Sequence, residues 1–136
     1  MINFYSYYSG VGLDNEAYGS VIRQLKNREY SSDLRSIEHI IKKLPRYAYR
    51  YAQFAMHERW FEAEPYIMKP PDYAYYYAKN VIKGRWSEAE PIIMANPHWA
   101  YNYAIDVIKE RWLEAEEDIK KEPSLWEAYC AYFEIE

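Results

Sequence analysis

The chain has 136 residues, half of them hydrophobic, which is enough for a continuous core in one domain. Its 17 basic and 21 acidic side chains leave a net charge of −4, the wrong sign for a basic nucleic-acid binder and too small for a polyanion mimic. A single cysteine, Cys130, excludes an internal disulfide, and no Cys/His pair has zinc-site spacing, so a reducing, cytoplasmic setting is expected.

Residues 1–12 form an aromatic segment in which Tyr5, Tyr7 and Tyr8 precede Gly10 and Gly12. It has neither a basic leader region nor a long apolar stretch, and no apolar run in the sequence nears the roughly 18 residues of a membrane span. A soluble, unsecreted protein with no membrane partner is therefore expected. Residues 13–44 read as a degenerate N-terminal capping unit, because LRSIEHIIKKLP (34–45) aligns with WFEAEPYIMKPP (60–71). Its first helix is expected over EAYGSVIRQLKN (16–27).

From Pro45 to Glu122 the chain repeats. Pro45, Pro71, Pro97 and Pro123 are spaced by 26 each time, and Trp60, Trp86 and Trp112 keep the same register, as do Arg59, Arg85 and Arg111. A fixed period of this size marks stacked supersecondary units, none of which can bury its apolar face alone. In each unit Pro opens a first helix of about 12 residues, where its missing N–H costs nothing, and Asn96 is placed to cap one copy. A short turn follows at Glu58, Gly84 and Glu110, and a second helix begins near EAEPxI, with Ser87 and Glu90 spaced as a capping box. Two helices and two tight turns use up 26 residues, so the expected fold is all-α: an α-solenoid of tandem helix-turn-helix repeats over 45–122. Residues 123–136, PSLWEAYCAYFEIE, read as a C-terminal capping helix whose Glu134 and Glu136 keep the end soluble.

Comparison of the copies separates constant from changing positions. On the first helix Ala48, Tyr49, Tyr51, Ala52, Ala55, Met56 and their equivalents fill one arc, the expected core. The opposite arc holds Arg50, Gln53, Phe54 and His57, then Tyr76, Lys79, Asn80 and Lys83, then Asn102, Ile105, Asp106 and Lys109. The phrase YAKNVIKGRWSEAEPIIM (77–94) and its neighbouring copies resemble tandem helical repeats of bacteriophage and other viral proteins of uncharacterised function. The likeness covers Pro45 to about Glu122 and implies a viral or mobile-element origin and a host-cell cytoplasmic location. It brings no activity or site with it.

No constellation points to catalysis. Glu62, Glu64, Glu88, Glu90, Glu114 and Glu116 make two carboxylate rows, but a catalytic pair needs one singular environment, and these recur beside the repeated arginines. Bonding between Arg and Glu of neighbouring repeats is the expected role. Trp60, Trp86 and Trp112 with Tyr49, Tyr75 and Tyr101 have the spacing of a stacking ladder for bases; packing is favoured, with the Tyr row the better exposed. His39, His57 and His98 form no metal or triad pattern, and Lys42, Lys43, Lys120 and Lys121 are two short basic pairs without a Gly-rich phosphate loop. No catalytic residue, metal or cofactor is expected. The favoured function is a non-enzymatic protein-binding scaffold, a phage adaptor or steric inhibitor of a host defence protein, contacting its partner through Phe54, Tyr76, Ile105, Arg50, Lys79 and Asn102. The alternatives are a binder of nucleic acid, or of a nucleic-acid groove, and a self-assembling viral component.

Overall fold

A computed structural model describes residues 19, 23–27 and 32–136; the aromatic segment 1–12 and much of the degenerate unit's first helix lie outside them. Every regular element among the described residues is helical. A 3-10 stretch, Ser32–Ile37, leads into α1, Glu38–Ile41. Three like units follow. Their first helices are α2 (Pro45–Tyr51), α4 (Pro71–Tyr77) and α6 (Pro97–Tyr103), and their second helices are α3 (Glu64–Ile67), α5 (Glu90–Met94) and α7 (Glu116–Ile119). The last helix, α8, is Pro123–Tyr132.

Each 12-residue first helix has two parts. Seven α-helical residues pass into five of π-helix: Ala52–Met56, Ala78–Ile82 and Ala104–Ile108. The wide turn closes with Lys83 N–H on the Ala78 carbonyl at 2.8 Å and Lys109 N–H on that of Ala104 at 2.7 Å. The residue that ends the helix is left-handed, with φ of 57° at His57, 61° at Lys83 and 64° at Lys109. Gly84, the expected turn residue, sits one position later, outside the left-handed region, so the reversal falls on a side chain bearing a Cβ. At the other end, Pro occupies the first turn of all four long helices, and the Asn96 side chain accepts from the His98 and Trp99 N–H groups as expected. The capping box does not form: Ser87 caps nothing, and Glu90 turns elsewhere.

The units pack in sequence, α2 against α4, α4 against α6 and α6 against α8, with each second helix wedged between consecutive first helices. Ala48, Ala52 and their equivalents Ala74, Ala78, Ala100 and Ala104 are wholly buried, and such small side chains at i, i+4 let adjacent helices approach closely. Tyr77, Tyr103, Trp86 and Trp112 fill the space between them. The single hydrophobic core runs without a break from Leu25 to Tyr129. No helix among the described residues is long and apolar enough to cross a membrane.

Candidate functional site

The repeated polar residues converge on one motif at each junction between units. In the second unit, Arg85 donates from Nε to Glu90 Oε2 at 2.9 Å and from Nη2 to Oε1 at 2.7 Å. Tyr103, from the next unit, donates its hydroxyl to Glu90 Oε2 at 2.8 Å and accepts the backbone N–H of Trp86 at 2.7 Å. Arg59, Glu64, Trp60 and Tyr77 repeat this arrangement, as do Arg111, Glu116, Trp112 and Tyr129. Each tyrosine thus ties two units. Its hydroxyl reaches back to the preceding unit, while the Tyr77 and Tyr103 rings pack on their own unit's Trp86 and Trp112 at 4.9 and 5.0 Å between centroids. In α8, which has no such tryptophan, Trp126 and Phe133 cover the Tyr129 ring.

The electrostatics follow from burial and from these partners. Burial pushes the Glu90 carboxyl up, but hydrogen bonds from Arg85 and Tyr103 outweigh it and hold the group below its usual range. For Glu116 the Arg111 hydrogen bond dominates and has the same result. Burial raises the Tyr77 and Tyr103 hydroxyls well above their ordinary value, and the adjacent carboxylate adds to it; Tyr129 is pushed up to about 12 for the same reasons. A carboxylate held ionised by a bidentate guanidinium and a phenol held protonated make a static clamp.

Several expectations change here. The Arg–Glu pairs lie within units rather than between them; it is the tyrosine hydroxyl that crosses the junction. Only one carboxylate row takes part, because Glu62, Glu88 and Glu114 are exposed. Among the described residues no group of three or more His, Cys, Asp or Glu side chains is placed to hold a metal ion. Trp60, Trp86 and Trp112 are only 7, 1 and 1% exposed, so they offer no stacking surface. Tyr49 and Tyr75, expected at the exposed edge, are buried too. Asn80 donates to the Tyr49 hydroxyl at 2.7 Å, and the Tyr75 hydroxyl donates to Asp106. Asn80 and Asp106, expected to face outward, therefore join neighbouring first helices.

Of the six expected contact residues, Arg50, Phe54 and Tyr76 do come together. With Arg46, Tyr49, Gln53 and Tyr73 they line a cleft of about 400 Å³ between α2 and α4. Tyr76, 37% exposed, stacks on Tyr49 at 6.1 Å and 20°, and Trp99 meets its edge at 5.6 Å. Phe54 is half-buried rather than outward. Lys79 belongs to a second cleft of about 180 Å³ with Lys83 and Lys109, where it lies 3.8 Å from the Asp106 carboxylate. The Asn102 amide donates to the His98 carbonyl one turn back, and Ile105 is half-buried and lines neither cleft. Comparison with family models, with curated proteins and with solved structures finds no match to this chain. The site is therefore read from geometry alone. Among the described residues the most exposed large apolar side chains, Phe61 at 67% and Leu113 at 65%, lie elsewhere and are not among the expected contacts. Their signal was present in the sequence: they share one repeat column with Ser87, which changes from copy to copy beside the constant tryptophan.

Proposed function

We propose that the chain is a short α-solenoid that acts by docking on a protein partner through the cleft around Tyr76, and that it works without chemistry of its own. The observation that carries this reading is how the constant and changing residues divide. The repeated Arg, Glu, Tyr and Trp side chains are consumed by one another at the junctions, which leaves the changing columns of the first helices to meet a ligand. Among those columns Tyr73, Tyr76 and Trp99 form, over the constant and buried Tyr49, a continuous aromatic patch beside Arg50. Exposed aromatic and arginine side chains on a preorganised surface are the groups that most often anchor an interface, because little side-chain entropy is lost when they are covered. The resemblance to phage repeats favours a host protein as the partner and steric inhibition as the outcome.

The test is affinity purification with mass spectrometry from a host lysate, using wild type, a Tyr76→Ala plus Phe54→Ala variant, and a Phe61→Ala plus Leu113→Ala variant. A stoichiometric protein retained by wild type and by the last variant, but lost from the first, is expected. Equal retention by all three would overturn the assignment of the face, and recovery of no stoichiometric protein counts against the docking function itself.

A further inference from the structure

Hydrogen-bond donors outnumber acceptors around the cleft between α2 and α4. The three repeated arginines each capture a carboxylate, yet Arg46 and Arg50 form no ion pair or side-chain hydrogen bond with any described residue. They stand four residues apart on α2, which puts both guanidiniums on one face of the helix, one turn apart. The Tyr73 and Tyr76 hydroxyls on the opposite wall likewise have no hydrogen-bond partner among the described residues, whereas Tyr75, between them in sequence, is bonded to Asp106. Burial raises the Tyr73 hydroxyl, and the fields of Arg46 and Arg50 oppose that rise, so both cations act on this wall. Asp72 is the one acid whose field reaches the same phenol, and it pairs with neither arginine.

A cleft lined by guanidinium and phenol donors calls for a ligand that only accepts, and carboxylate meets the flat fork of arginine with two parallel hydrogen bonds. The aromatic floor adds a place for an apolar side chain next to that charge. We infer that the cleft formed by Arg46, Arg50, Gln53, Tyr73 and Tyr76 recognises a short acidic peptide segment of the partner, one in which Asp or Glu side chains flank an aromatic or aliphatic residue. This deepens the docking function proposed above and rests on it. A nucleic acid fits less well. The chain carries a net charge of −4, the basic pair is confined to the first full unit, and the equivalent positions of the next are Asp72 and Tyr76, so a long polyanion would leave the cations and meet acid.

The test is selection from a random ten-residue peptide library on the full chain, followed by fluorescence anisotropy with the enriched peptides. Enriched sequences are expected to carry Asp or Glu beside an aromatic or aliphatic residue. Their binding should weaken at least tenfold when the acids become Gln or Asn, and at least tenfold when the protein carries Arg46→Gln plus Arg50→Gln. Binding to a Lys120→Gln plus Lys121→Gln control should be unchanged, and since the pair loses no ion pair or hydrogen bond, only the contact of Arg46 over the Tyr47 ring at 5.9 Å, the double arginine variant should melt within a few degrees of wild type. Enrichment of neutral or basic peptides, no enrichment at all, or tighter binding to a 20-nucleotide oligo-dT than to any peptide would each overturn the assignment. Loss of binding with Tyr76→Ala but not with the arginine pair would leave the docking face standing and remove its preference for acid. Indifference of the captured partner to Tyr76→Ala would remove the face as well.

Discussion

The first junction and the three that follow use the same tyrosine and glutamate differently. Tyr51 donates to Glu38 at 2.6 Å, as Tyr77, Tyr103 and Tyr129 do to Glu64, Glu90 and Glu116. At the later junctions an arginine forks onto the carboxylate, whereas at the first the corresponding sequence position is Asp33. The Tyr–Glu bond is therefore the part common to all four junctions. The arginine fork is present in each of the three 26-residue units, where the guanidinium offsets the desolvation of the carboxylate.

High pH strikes every junction at once and has the largest expected effect. Tyr51, Tyr77, Tyr103 and Tyr129 all have hydroxyls raised in the folded chain. Below about pH 10 they are protonated in both states, and their contribution is complete; above it the unfolded chain releases protons that the folded chain retains. Stability should therefore fall steadily as pH rises from 10 toward 12, which urea unfolding followed by circular dichroism would measure. Low pH acts through the carboxylates of the last two junctions. Glu90 and Glu116 are lowered, so their contribution is present above about pH 4.3 and is lost as pH falls through their folded values.

Among single substitutions, Trp86→Ala should cost most, about 3–5 kcal/mol, because it empties a fully buried site against Tyr77. Next comes Tyr103→Phe. It leaves the Trp86 N–H buried without an acceptor and should cost about 1–3 kcal/mol. Tyr51→Phe breaks the bond to Glu38, a carboxylate that no arginine forks onto, worth about 0.5–1.5 kcal/mol. Equal losses from the two Tyr→Phe changes in thermal unfolding would erase the distinction between the junctions. The smallest effect has the opposite sign. Lys83→Gly relieves a left-handed Cβ worth about 1–2 kcal/mol against a glycine entropy cost of about 0.5–1, so it should raise stability by roughly 0.5–1 kcal/mol.

Much of this was legible in the sequence. Phase-locked Pro and Trp positions locate the units, and the constancy of Ala48, Ala52 and Tyr51 among copies identifies the buried face. The polar seam was visible only in part. Arg59 and Glu64 recur together in every copy, which suggests a bond across a junction, whereas the turn between them folds one onto the other. The tyrosine hydroxyl that does cross lies 13 residues past its glutamate, and no local spacing rule reaches that far. Variation misled in the other direction. Asn80 and Asp106 change from copy to copy, which suggests solvent, yet each answers a tyrosine of the unit before, because any acceptor or donor of the right length will serve there.

The period, the helical class of each unit and the identity of its core come from the linear order of residues, since repetition and the 3.6-residue spacing are properties of the chain itself. Which polar atoms meet, where the left-handed residue falls, and that Arg50, Phe54 and Tyr76 share one cleft while Lys79, Asn102 and Ile105 do not are decided by how one unit is set against the next. That setting depends on side-chain volume and hydrogen-bond reach across residues distant in sequence, and both become definite only when the units are packed together.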